Sequence, residues 1–173
     1  MGTCINQLKI EIITHGEILF RDLIRAINIK LGHWNFPLES QLKWIVEHMN
    51  DRDMHIFLKK GSKDCAYMTL SMVNGIIDGV DTSFYGVGCV CSVHPGNGEG
   101  GLLMNQVNAY ILNQNQRGLL FCKDNLVNFY KKYGWHLIPK QCVEFHLDTS
   151  DNINVMVFNC DIPSRFKYVD RVF

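Results

Sequence analysis

A strand, a glycine cluster and a helix follow one another without a break from Phe84 to Ile111, and no other stretch constrains the fold as much. The run Phe84 to Val93 reads as a strand. Pro95-Gly96-Asn97-Gly98-Glu99-Gly100-Gly101 follows, and Leu103, Val107, Tyr110 and Ile111 then recur at helical spacing. The first turn of a helix carries N–H groups without partners, and the helix dipole adds positive charge there. Glycines let a phosphate approach such a backbone closely. Four glycines in six residues at one strand-to-helix junction point to an anion site rather than to turn geometry alone.

Two phosphate-binding patterns can be tested on the letters. A Walker loop needs Lys after its last glycine, and Leu102 stands after Gly101. A dinucleotide loop needs G-x-G-x-x-G, which Gly96, Gly98 and Gly101 satisfy, with Asp124 near the place of the ribose-binding acid. Against it, Pro95 interrupts the passage into the loop and the upstream strands form a meander. Fewer than fifty residues remain after Asp124, too few for the rest of the usual sheet.

The remaining elements give an α/β chain with a mixed sheet. Leu8 to Ile12 alternates apolar and charged residues as a strand does. Thr14-His15-Gly16-Glu17 is a capping box, and a helix with Phe20, Leu23, Ile24, Ile27 and Leu31 on one face should follow. A second helix carries Leu42, Ile45, Val46 and Met49. Strands are expected over 54–59, 65–73 and 84–93, joined by short turns and therefore antiparallel. After the glycine helix come a strand at 118–122, a short helix over about 125–133 closed by Gly134, and strands at 143–148 and 154–158. The length of 173 residues suits one domain, residues 1–173.

Composition removes several function classes. Seventeen basic residues balance seventeen acidic ones, so no long-range field draws in nucleic acid or an anionic membrane. No apolar run reaches the ~20 residues that span a bilayer. The N-terminus lacks a secretory pattern, and Asn6 stands where myristoylation wants Ser or Thr. The seven cysteines include no C-x-x-C pair, and Cys89-x-Cys91 has no matching His or Cys pair nearby, so free thiols, no metal and a reducing cytoplasm are expected.

The run Val90-Cys91-Ser92-Val93-His94-Pro95, followed by Asn97-Gly98-Glu99-Gly100-Gly101-Leu102-Leu103, resembles the acyl-CoA loop of the GNAT superfamily of N-acetyltransferases. A second stretch resembles the family's other motif, an apolar strand and a short helix ending in an aromatic pair and a glycine. Here Leu119 to Cys122 leads to Phe129-Tyr130-Lys131-Lys132-Tyr133-Gly134-Trp135. The likeness runs at motif level from about Phe84 to Ile138, and its wording is most similar to the branch containing aminoglycoside 2′-N-acetyltransferase. It implies a mostly antiparallel sheet of about seven strands with about four helices.

What the resemblance implies is transfer of an acetyl group from acetyl-CoA to an amine of a small molecule or peptide. The main-chain N–H groups of Gly98, Glu99, Gly100, Gly101, Leu102 and Leu103 would cradle the pyrophosphate, with Asn97 at the start of the loop also binding the cofactor. Cys91 and Val93 would pair with the pantetheine arm, and Asn125 would add a contact to the cofactor. Tyr130 takes the family's general-acid position, or else packs in the core like Phe129. Trp34, Phe36 and Glu39, with His33, fall on the acceptor side, where aromatic rings and one acid would suit a cationic amine. The chain departs from the family in having Asn97 where Gln or Arg is usual. It also lacks a carboxylate on the strand before the loop, where Cys89 stands near the usual place of a Glu; His94 is the imidazole there, and Glu39 or Asp78 could supply the missing base. That lack leaves a non-catalytic acyl-CoA-binding module as the competing class. The tail from Pro163 to Phe173 could pack on the sheet, close the pocket or join a homodimer.

Overall fold

A computed structural model describes residues 8–145 and 153–173. Cys4 and Asn6, and the expected strand residues His146, Leu147 and Asp148, lie outside the described residues. The chain divides into two compact units, residues 1–70 with 89–106, and residues 71–88 with 107–173.

In the first unit, β1 (Leu8–Thr14) pairs antiparallel with β2 (Met54–Lys60), and β2 with the first part of β3 (Lys63–Ile77). Helices α1 (Phe20–Leu31) and α2 (Leu38–His48) fall between β1 and β2. The Thr14 hydroxyl donates to the Glu17 carboxylate, but it opens a single 3-10 turn, His15–Glu17, not α1. The buried face of α1 also differs from the apolar stripe. Phe20 and Leu31 are exposed, and Ala26, Ile27, Ile29 and Lys30 are buried. On α2, Val46 is exposed and Gln41 buried. Arg25 explains part of this shift. It reaches Asp22 at 2.7 Å, Glu11 at 2.8 Å and Asp64 at 2.8 Å, and its guanidinium lies over the Phe57 ring.

The second unit holds the rest of β3, the start of β4 (Val80–Ser92) and β5 (Gly118–Cys122), which runs parallel to β4 from Tyr85 to Val87. Helix α3 (Glu99–Asn113) crosses from the first unit into the second, and α4 (Asp124–Lys131) follows β5. Strands β6 (His136–Leu137) and β8 (Asn154–Phe158) extend the pairing from β5, while β7 (Val143–Phe145) and β9 (Phe166–Tyr168) pair with each other and β9 with β3. Hydrogen bonds join the strands in the order β1-β2-β3-β4-β5-β8-β6. The result is a large, mostly antiparallel mixed sheet with four α-helices. It has nine described strands, two more than expected, because β6 and β9 are too short to show a period. The tail packs on its own sheet: β9 pairs with β3, and the Phe173 ring lies tilted against Phe121.

Candidate active site

The glycine turn has the backbone the letters called for. Gly96 and Gly98 hold φ of 90° and 80°, which side-chain-bearing residues rarely adopt, and both face open space. The Leu102 N–H donates to the Gly98 carbonyl at 3.1 Å, which sets the register of α3. The N–H groups of Gly98, Glu99, Gly100 and Gly101 are therefore the four that have no carbonyl one turn back. This narrows the expected cradle. Leu102 spends its N–H on Gly98, Leu103 is a core residue inside the helix, and the Asn97 N–H donates to His94 at 3.3 Å. The Glu99 carboxylate turns back to accept the His94 N–H, so it is the Glu99 main chain that faces outward.

The strand before the turn is irregular at one place. Cys89 adopts φ 53°, and β4 has no partner from β5 beyond Val87. The Val93 N–H donates to the Cys65 carbonyl at 2.7 Å, so it points to β3 and is not free for a ligand arm as expected. Cys91 is buried, its thiol 3.7 Å from the Tyr67 carbonyl. At Ser92 the main chain meets the His33 ring: His33 Nε2 accepts the Ser92 N–H at 3.1 Å in one tautomer, or donates to the Ser92 carbonyl at 2.8 Å in the other.

A cavity of about 360 Å³ opens beside Cys89. Trp34, Phe36 and Trp44 form its apolar wall, and Lys30, Ser40, Gln41 and Cys89 its polar lining. Trp34 and Phe36 are part-exposed on its lip and are not core anchors. Glu39 belongs to a different groove, with Leu38, Leu42 and Val46. The ionic residue inside the aromatic cavity is thus a lysine and not the expected acid.

No family model matches the chain, and no curated protein matches it. Solved structures do. ElaA of Escherichia coli aligns with a TM-score of 0.62 at 15% identity, covering 88% of this chain and 100% of that one. An acyl-CoA N-acyltransferase of Pseudomonas aeruginosa gives 0.61 at 14%, covering 88% and 99%. A GCN5-related N-acetyltransferase of Anabaena variabilis gives 0.59 at 11%, covering 75% of this chain and 32% of that one. The chain has the GNAT fold. Its fold is therefore that of enzymes that move acyl groups, while the narrower likeness to the aminoglycoside branch rests on the two sequence motifs.

In the second unit, Tyr130 lies on α4, 7% exposed, with its ring against Phe129 and Trp135. Burial, with the Cys122 thiol nearby, pushes its hydroxyl well above the usual tyrosine range. Asn125 is exposed in the first turn of α4. Asp124 accepts from Asn154 at 2.6 Å. Asp78 accepts the main-chain N–H of Arg165 at 2.7 Å and so ties down the tail. In the first unit, burial also pushes the Cys89 thiol up, which keeps it protonated at neutral pH and unfit as a base. Among the described residues no group of three His, Cys, Asp or Glu side chains is gathered as for a metal ion. No described helix is long and apolar enough to cross a membrane.

Sequence reasoning missed three features of the first unit. Lys30 and Gln41 sit among apolar residues on their helices and left no signal of their own. The third is a buried chain in which His15 Nδ1 lies 3.0 Å from His55 Nε2, and His55 Nδ1 lies 2.7 Å from the Tyr67 hydroxyl. Nothing in the letters joins residues that far apart in the chain.

Proposed function

We propose that the protein is an acyl-CoA-dependent N-acyltransferase that uses acetyl-CoA as donor and acylates the amine of a small molecule or peptide. The observation that carries this reading is the glycine turn: four unpartnered N–H groups at the head of a 15-residue helix, behind two glycines that leave the approach open. A diphosphate fits the chemistry of that donor set. Gly98 to Gly101 would hold it, and the main chain of Cys91 with the carbonyl of Val93, whose N–H is taken by Cys65, would receive the arm that follows. Acetyl-CoA supplies the acetyl thioester. Tyr130 would donate a hydrogen bond to the departing sulfur, since its raised pKa favours a donor that keeps its proton over one that gives it up. Asn125 is assigned a further cofactor contact, and residues 1–173 are read as one catalytic domain in a cytoplasmic protein.

The absence of a carboxylate from Phe84 to Ser92 on β4, with a protonated Cys89 instead, favours a second reading, a non-catalytic acyl-CoA-binding module. Both readings require donor binding. Acetyl-CoA should raise the melting temperature, because a ligand of the native state stabilises it by mass action. NADH and ATP should do much less, and Gly100→Asp should abolish the shift by placing a carboxylate where phosphate must come. A shift by NADH without one by acetyl-CoA would return the dinucleotide reading.

A further inference from the structure

Resting on the acyltransferase reading, we propose that the acceptor is an amine that also carries a carboxylate and a bulky apolar side group, as an aromatic or large aliphatic amino acid does, and that Lys30 binds the carboxylate.

The argument starts from two cations on one helix. Arg25 is fully provided for, with Asp22, Glu11 and Asp64 around it. Lys30, little more than a turn later, is only 6% exposed and lines the aromatic cavity. Lysine ordinarily keeps its ammonium in water while its stem covers apolar surface. Here the ammonium is withdrawn, 5.2 Å from the centre of the Trp44 ring and beside the Cys89 thiol. Among the described residues it has no carboxylate in an ion pair. A buried charge is costly unless an opposite charge meets it. The Trp44 face offsets part of that cost, and Cys89, neutral as a thiol, offers no anion.

A second side chain in the same wall is also incomplete. Gln41 is 3% exposed; its Nε2–H donates to the Phe36 carbonyl at 3.1 Å, but its Oε1 receives no donor. The cavity therefore lacks one negative charge and one hydrogen-bond donor. Apart from Ser40 and Cys89, its remaining wall is Trp34, Phe36 and Trp44, which suits an apolar body, and its volume lies in the range of small-ligand sites. A carboxylate, an N–H and an apolar side group meet all three needs. A polycationic amine supplies only the N–H, and Lys30 repels it.

Calorimetric titration of the full chain with matched pairs tests this: L-phenylalanine against phenethylamine, and N-acetyl-L-phenylalanine against N-acetylphenethylamine. Each pair differs only in the carboxylate. The carboxylated member should bind about tenfold or more tightly, as a charge-assisted pair does. Lys30→Met should remove that preference and Lys30→Arg should keep part of it, while the melting shift by acetyl-CoA stays as in the wild type. Equal or weaker binding of the carboxylated members, no binding of any of the four, or a preference that survives Lys30→Met overturns the proposal. The wild-type pairs decide even if a variant fails to fold. A wild type that prefers carboxylates but shows no acetyl-CoA shift would overturn the acyltransferase reading and leave this site standing.

Discussion

His55 Nδ1 lies 2.7 Å from the Tyr67 hydroxyl oxygen, and both side chains are closed to solvent. Tyr67 can donate to His55 Nδ1, which leaves His55 Nε2–H to donate to His15. A charged His55 would have to reverse the first of these bonds, donating Nδ1–H to the Tyr67 oxygen, and would carry a buried charge. Burial first, then the charges of His15 and Lys30, hold its pKa down at about 3.

The pH dependence follows from that depression. Between an unfolded value near 6.5 and a folded value of about 3, the unfolded chain binds a proton that the folded chain refuses. Stability from this group is therefore full above pH 6.5 and falls as pH drops, by up to about 1.4 kcal/mol per pH unit. Urea unfolding at pH 7, 6 and 5 should show the decline, and His55→Gln should flatten it. An unchanged slope in His55→Gln would remove His55 as the cause.

Gly118→Ala should destabilise the second unit. An added Cβ would lie 2.5 Å from the Trp135 ring and 3.1 Å from Phe158. The indole cannot retreat freely, because its N–H donates to Asn108 at 3.0 Å. Overpacking of this kind costs about 1–3 kcal/mol. The urea midpoint should fall accordingly, with an unchanged slope of the transition.

The glycine turn separates backbone from side-chain roles. Gly98→Ala forces a residue with a Cβ into φ 80°, at a cost of about 1–2 kcal/mol, and should shrink the melting shift by acetyl-CoA. Asn97→Ala should leave the shift nearly intact, since the Asn97 N–H is already bonded to His94. Equal loss in both variants would mean that side chains, not the main chain, hold the donor.

For Tyr130→Phe, turnover should fall by about tenfold to a hundredfold with donor affinity little changed, at or below the low end for general acids. Tyr133→Phe is the control and should cost far less. Because burial keeps Tyr130 protonated, the rate profile should show no alkaline limb from this residue. Unchanged turnover would make Tyr130 a packing residue.

The parts legible in the sequence are those fixed by local chemistry. β5 lies at Gly118–Cys122 as the apolar run indicates, and the glycine turn opens α3 where the glycines stand. Gly134, at φ 80°, closes the short helix. What stayed hidden depends on tertiary partners. Phe20, Leu31 and Val46 fit a helical stripe yet are exposed, while Lys30 and Gln41 take up buried positions on the same two helices. The apolar count could not rank Lys30 above a surface lysine, since only the packing of Trp44 and Cys89 around it gives it meaning. β6 and β9 have two and three residues, and pairing alone defines them.

The most direct test of the account is turnover stoichiometry. Wild-type protein, acetyl-CoA and a panel of neutral, cationic and carboxylate-bearing amines are incubated, free thiol is measured, and the amines are analysed by mass spectrometry. The account predicts equimolar release of coenzyme A thiol and formation of one N-acetylated amine, with the carboxylate-bearing members turned over best. Acetyl-CoA bound tightly with no thiol released across the whole panel would contradict it and make the protein an acyl-CoA-binding module.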